Sequence, residues 1–331
     1  MKWLWKHKVT SIVLILVYVS ILFSVTYRLN DKTLTLKGDL TPVKTQVNLE
    51  QDPHFYTIYV VSMDKPTLFQ YWIAKLIKQI DISTLPKAYE GMSVMDQFKM
   101  GQIAEELSYQ YATIQAYTRA NLVNPNIQID YVLKGYIASF VESYQDDIRL
   151  GDILIEVDTM TIDSVSKETL FGQFSNNDQV EVVVLRGQER LTITLNKNTT
   201  MDRYGIRFEP YYTLTTIPLL STAHTSDFVG GPSGGMIQTL DLYMKLLDID
   251  LKELKIAGTG TIELDGTIGA IGGIEQKIYT ANDHNIDIFL CGAENYEAAL
   301  KVYETLKSPT FELIKVGDID EAIQSVLSRL S

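Results

Sequence analysis

Residues 9–27 run without a charge, VTSIVLILVYVSILFSVTY. That is about the length that crosses a bilayer as a helix. Lys2, Lys6 and Lys8 precede the run; Arg28 and Lys32 follow it, offset in part by Asp31. The basic flank predicts a cytoplasmic tail over 1–8, an anchor over 9–27 and an outward-facing remainder. A cleaved signal peptide is the rival reading, although residues 23–27 lack a small-residue cleavage site.

Beyond the run the pattern becomes mixed. Residues 55–63 (FYTIYVVSM) are β-branched and aromatic, which predicts a strand. Pro66 opens a predicted helix through residue 80, with Phe69, Trp72, Ile73, Leu76 and Ile77 on one side. Residues 95–121 form a longer amphipathic pattern, rich in Gln and Tyr, that suits an interface or a surface helix. Residues 131–195 read as short strands with turns. Strands are predicted at 136–141 and after the Gly151-Asp152 turn, a short helix at 164–174, and a hairpin from 179–185 and 190–195. After Gly205 comes strand-like text at 214–220, then a helix at 236–247, where Ile237, Leu240, Tyr243, Met244 and Leu247 recur at helical spacing. A strand at 254–261 leads to Asp265-Gly266, a hairpin signal between two apolar runs. A helix at 274–281, a core strand at 287–290 and helices at 294–306 and 319–327 close the chain. Alternating strands and helices predict an α/β domain.

A chain of 331 residues holds two domains and a sizeable core. The net charge of −12 argues against nucleic acid as a partner, because neutralising phosphates needs a basic face. Cys291 is the one cysteine, so disulfides within the chain and Cys-rich zinc sites are excluded. It sits in an apolar run and reads as a small buried hydrophobe. The four histidines show no metal-ligand spacing, so neither metal nor cofactor is expected.

Candidate chemistry centres on Gly231-Pro232-Ser233-Gly234-Gly235, directly before the predicted helix at 236–247. A serine at a helix N-terminus stands beside backbone N–H groups that carry positive partial charge. Such a serine can attack a carbonyl while the donors hold the oxyanion. A Ser-capped Gly-rich turn is the alternative. Lys277 falls on the apolar stripe of its helix, beside Ile274, Ile278 and Ala281. Burial there disfavours the ammonium, leaving an amine able to take a proton near neutral pH. A lysine snorkelling over apolar surface is the alternative.

The Gly-Pro-Ser-Gly-Gly corner, Gly258-Thr259-Gly260-Thr261-Ile262, Asp265-Gly266 and Ile271-Gly272-Gly273-Ile274-Glu275-Gln276-Lys277 resemble the Lon-type serine protease domain in order and separation. The usual serine motif there is GPSAG, and Gly234 replaces its Ala. The resemblance implies Ser233 as nucleophile, Lys277 as general base, Thr259 as the residue orienting the amine, and Gly234 as a backbone oxyanion donor. Upstream, the string LGDILIEVD resembles a PDZ domain of the bacterial protease type. Asp158-Thr159-Met160 stands where that family has Asn-Gly-Lys, and Tyr144-Gln145-Asp146-Asp147 where it has Ser-Pro-Ala. The peptide-binding loop is expected near Lys134-Gly135.

The whole is similar to the membrane-anchored PDZ–Lon-like serine proteases of Gram-positive bacteria. The resemblance implies a mixed α/β segment at 34–125 that packs with the protease fold, a PDZ-like domain at 126–197 and a Lon-type domain at 205–331. It also implies an endopeptidase for extracytoplasmic peptides or flexible segments of secreted and membrane proteins, with homo-oligomers as one state. The sequence has no G-x-x-x-x-G-K-[ST], so ATP is not expected to take part. Two alternatives stay open: a tethered PDZ adaptor without catalysis, and a Ser-His-Asp hydrolase built on the G-x-S-x-G at 231–235, His284 and Asp265. The polar stretch at 225–230 disfavours the hydrolase, whose serine follows a buried strand. His224 and Asp227 read as surface loop residues.

Overall fold

The computed structural model describes residues 8–43, 54–89, 91–142, 145, 147–220 and 230–330. Lys2, Lys6, Tyr144, Asp146, His224 and Asp227 therefore lie outside the described residues. The charge-free run is one continuous helix, α1 (Lys8–Thr26), apolar on all sides and buried only at Ser24. Among the described residues it is the one helix long and apolar enough to cross a membrane, and a signal sequence passes the same test.

The next segment folds into a ribbon. Strands β1 (Lys32–Pro42) and β2 (Phe55–Asp64) pair antiparallel. Helix α2 (Leu68–Ala74) follows, its start fixed by a capping box in which Thr67 and Gln70 satisfy each other's backbone N–H groups. Strand β3 (Asp81–Thr84) then pairs with the far edge of β1. The helix expected over 66–80 is thus shorter, and its apolar stripe faces outward rather than into a core.

Helix α3 (Val94–Val123) is capped by Ser93, whose hydroxyl accepts from the Asp96 N–H at 3.1 Å. Its second half is a core helix rather than a surface one. Ala112, Ala116, Tyr117 and Ala120 are buried, and the small side chains let neighbouring elements approach closely.

A second sheet follows, built from β4 (Gln128–Val141), β5 (Ile153–Val157), β6 (Met160–Thr161), β7 (Gln179–Arg186), β8 (Glu189–Asn196) and β9 (Ile206–Ile217). Its order is β8-β7-β5-β4-β9, antiparallel throughout, with β6 beside β5. Helix α4 (Lys167–Asn176) covers it, burying Leu170 against Leu154, Val182 and Leu195. Asp152 is buried and accepts two bonds from the Arg186 guanidinium, at 2.7 and 2.9 Å. The β-rich module expected to stop at 197 therefore runs on through β9. That strand pairs with β4 from Gln128↔Ile217 to Val141↔Ile206, and so does not belong to the C-terminal fold.

The remaining elements alternate. A single 3-10 turn (Pro232–Gly234) enters α5 (Gly235–Leu246). Then come β10 (Ile256–Thr259), α6 (Ile274–Asp283), β11 (Ile288–Gly292), α7 (Tyr296–Tyr303), β12 (Glu312–Val316) and α8 (Ile319–Leu327). Strands β12, β11, β10 and β2 lie parallel, and β1 and β3 extend the sheet antiparallel in the order β12-β11-β10-β2-β1-β3. Every residue of β10 is buried, as for a strand covered on both faces. One face packs on α3, α5 and α8; the other packs on α6 and α7. Cys291 is buried in β11. The segment at 34–125 thus supplies three strands of this sheet and a core helix. The Asp265-Gly266 turn forms, with Gly266 at φ +90° and the Glu263 N–H on the Thr267 carbonyl at 3.0 Å. Its arms are not regular strands, because Ile268 and Ile319 exchange backbone bonds with Gly317 and Gly266 instead.

Candidate active site

Ser233 sits in the 3-10 turn that opens α5, and the corner is held by α3 on one side and the end of β10 on the other. The Gly231 N–H donates to the Gly101 carbonyl on α3 at 2.9 Å. The Ser108 hydroxyl, also on α3, donates to the Pro232 carbonyl at 3.1 Å. The Gly260 N–H and the Thr259 hydroxyl, at the end of β10, both donate to the Ser233 carbonyl, at 3.0 and 3.1 Å. Gly231 has φ +118°, a conformation that a side chain would strain.

Lys277 comes from the first turn of α6. Gly273 caps that helix in the left-handed region at φ +70°, and a Cβ there would stand 3.0 Å from Val60 on β2. This close approach turns the Lys277 face of α6 inward, beside Ile274, Ile278 and Ala281 as the stripe predicts. The side chain is 1% exposed. Its Nζ lies 2.9 Å from Ser233 Oγ and 3.0 Å from Thr259 Oγ1. No carboxylate pairs with the amine among the described residues. Burial alone pulls its pKa from the ordinary 10.5 down to about 7. A neutral amine offers Ser233 a lone pair while donating a hydrogen to Thr259, and Thr259 passes its own hydrogen to the Ser233 carbonyl. The snorkelling alternative does not apply to a side chain so enclosed.

A cleft of about 450 Å3 opens onto these groups. Thr35, Thr57 and Val60 of the β1–β2 ribbon line it, together with Glu105, Gln238 and Gly272. Strand β10 pairs only with Phe55, Tyr56 and Thr57 of β2. From Ile58 onward that edge has no strand partner among the described residues. Sequence reasoning missed the ribbon, Ser108 and Gln238. Gln238 carries a signal: it is polar, in the middle of a buried apolar helix, and its Oε1 has no hydrogen-bond partner among the described residues.

Other expected groups lie elsewhere. His284 ends α6, seven residues past Lys277, and pairs with Asp39 at 2.9 Å. Asp265 accepts from the Thr267 N–H at 2.9 Å. The two are not brought together at Ser233, so His284 and Asp265 do not form a triad with it. Lys134 and Gly135 belong to the other sheet. They lie in β4, where Gly135 is in register with Tyr211 of β9 and the register with β5 begins at Tyr136. A Cβ on Gly135 would meet Ile153 and Leu154 at 2.5 Å, and Lys134 lies over the Tyr211 ring. A groove of this module lies along β9. It is about 740 Å3, with Phe171 and Phe174 of α4 on one side and Tyr204, Gly205, Ile206 and Arg207 on the other.

Comparison with known proteins points the same way for the C-terminal part. Residues 222–329 match the Lon protease (S16) C-terminal proteolytic domain. The chain is 31% identical over 101 residues to the Lon protease of Mycoplasma mobile, covering 30% of this chain and 12% of that protein. It is 22% identical over 273 residues to the Lon protease of Clostridium acetobutylicum, covering 73% of this chain and 34% of that one. The chain thus spans about a third or less of the length of these relatives. Among solved structures, the PDZ domain of the SdrC-like protein from Listeria monocytogenes aligns at 17% identity and a TM-score of 0.20, covering 23% of this chain and 90% of that one.

Proposed function

We propose, from the Lon-type proteolytic domain carried over residues 222–329, that this chain is a membrane-anchored serine endopeptidase acting without ATP, with Ser233 as nucleophile and Lys277 as general base. The observation that carries this reading is the Lys277 amine, 1% exposed, its pKa near 7, and 2.9 Å from Ser233 Oγ.

An extended peptide lies along the open edge of β2, adding main-chain hydrogen bonds as a further strand. The neutral amine takes the Ser233 proton while Oγ bonds to the scissile carbonyl carbon. Charge collects on the carbonyl oxygen, where the backbone N–H groups of Ser233 and Gly234, at the positive end of α5, receive it. The Lys277 ammonium then protonates the leaving nitrogen as the C–N bond breaks. Water attacks the acyl ester while Lys277 accepts its proton, and Lys277 returns that proton to Ser233 Oγ as the ester C–O bond breaks. Thr259 holds the amine on line throughout. No step uses a nucleotide, metal or cofactor.

In this reading α1 is an uncleaved anchor, the catalytic part faces outward, and substrates are extracytoplasmic peptides or flexible segments. The groove beside α4 is a second peptide site, with Arg207 at its rim for an acidic or terminal carboxylate. Full-length protein in lipid nanodiscs, incubated with an unstructured peptide mixture and no nucleotide, tests the proposal. The expected result is internal cleavage that Ser233→Ala abolishes and His284→Ala leaves intact. Cleavage that survives Ser233→Ala, or a folded protein that cleaves nothing, overturns it in favour of another hydrolase or an adaptor.

A further inference from the structure

The apolar stripe of α2 is on the wrong side for a soluble protein. Phe69, Trp72 and Ile73 stand at i, i+3 and i+4 on one face of the helix, and Leu76 and Ile77 follow in the turn beyond its end at Ala74. Such a face ordinarily packs on a core. Here all five are exposed, Trp72 at 53% and Leu76 at 84%. The side turned toward the protein buries Ala74.

The position of this face says what covers it. The chain leaving α1 is tied to the start of α2: the Leu68 N–H donates to the Tyr27 carbonyl and the Leu29 N–H to the Pro66 carbonyl, both at 2.9 Å. Arg28 and Thr67 form a β-bridge between those bonds. The stripe is therefore held where α1 ends and cannot swing away from it. Charge agrees. Residues 65–80 contain Lys65, Lys75 and Lys78 and no carboxylate, in a chain whose acids outnumber its bases by 12.

We propose that α2 and the turn after it form a second membrane contact, lying in the plane of the bilayer where α1 emerges. Its five apolar side chains enter the boundary between headgroups and acyl chains, and its lysines face anionic headgroups. The inference rests on α1 being a membrane span. Trp and Lys at such a boundary are the residues that favour it. The consequence is a fixed height for the cleft. Thr35, which lines it, is nine residues beyond Thr26; at about 3.3 Å per residue that is at most roughly 30 Å from the end of the span. Gln276, next to Lys277, also donates to the Gln79 carbonyl just past the stripe, at 3.3 Å. Segments close to the membrane surface are then the substrates within reach.

The test uses the three tryptophans, Trp3, Trp5 and Trp72. Full-length Trp3→Phe/Trp5→Phe leaves Trp72 as the sole reporter. It is reconstituted in vesicles of phosphatidylcholine and phosphatidylglycerol, with lipids brominated either near the headgroup or near the acyl end. Trp72 is expected to lose roughly half its emission or more to the shallow bromines, and distinctly less to the deep ones. A companion protein, Trp3→Phe/Trp5→Phe/Trp72→Phe with Leu16→Trp, reports on α1 alone and is expected to be quenched by the deep bromines. Quenching of the α1 reporter with an unquenched Trp72 overturns the α2 contact and leaves the span standing. No quenching of either overturns both. Trp72 emission that ignores bromine but shifts to the blue as protein density rises assigns the stripe to a second copy of the chain, and overturns the lipid contact too.

Discussion

Gly230 lies so close to Gly101 that a Cβ on Gly230 would stand 2.8 Å from the Gly101 carbonyl carbon. The obstacle is the backbone of a core helix, which does not yield. Gly230→Ala should therefore move the serine corner, not α3. Displacing a nucleophile by about 1 Å costs on the order of a hundredfold. The expected outcome is a kcat lower by roughly tenfold to a hundredfold, with little change in Tm. Steady-state kinetics beside a thermal melt check it. A normal kcat would show that the contact does not position Ser233.

The two glycines after Ser233 should separate. A Cβ on Gly234 is crowded by the Thr57 methyl at 3.0 Å, with Gln238 at an ordinary 3.5 Å, and a shift of a few tenths of an ångström relieves it. Gly234→Ala should keep kcat/KM within roughly tenfold. On Gly235 a Cβ meets the Ile262 side chain and the Ser108 hydroxyl, both at 2.6 Å. Gly235→Ala should lose about 1–3 kcal/mol of stability by denaturant melt, because the neighbours are buried. Equal effects at the two positions would contradict the packing.

Thr259→Val keeps the shape of the side chain and removes the hydroxyl between Lys277 and the Ser233 carbonyl. The charged amine loses a hydrogen-bond acceptor, so its pKa should fall further below about 7. The acidic limb of the kcat/KM profile then moves to lower pH, and the plateau falls by roughly tenfold or more because the amine is no longer aimed. A profile with the same midpoint and plateau would assign Thr259 to the fold alone.

Lys277 also makes stability depend on pH. Between about 7 and 10.5 the unfolded lysine holds a proton that the folded one lacks. The unfolded state binds more protons across that window, so this group makes stability rise with pH there. Below about 7 the full cost of burying the charge applies. Lys277→Met removes the term, and all other groups cancel in the difference. From pH 7 to pH 10 wild type should gain up to about 4 kcal/mol relative to Lys277→Met. Paired denaturant melts at the two pH values measure it, and no relative gain would mean the amine is not buried in solution.

Where periodicity or turn chemistry acts locally, the sequence was legible. Ile237, Leu240 and Met244 marked α5, and Ile274, Ile278 and Ala281 marked α6 and put Lys277 on the inward face. The hairpin of β7 and β8 could be read from its turn. What could not be read depends on contacts far apart in the chain. Phe55 beside Ile256 joins β2 to β10 across some 200 residues, and no local pattern carries that register. Strand β9 reads as apolar text near the serine corner, yet its partner is β4. The stripe at Phe69 and Trp72 was seen, but amphipathic spacing says only that a face is apolar, not what it meets.

Covalent labelling by a fluorophosphonate, followed by peptide mapping and measured against pH, decides whether a neutral Lys277 activates Ser233. One adduct is expected, on Ser233, forming with a rate that rises through about pH 7 and falls by about a hundredfold or more in folded Lys277→Met. A folded protein that takes no label at Ser233, or one whose labelling rate ignores the loss of Lys277, would contradict it.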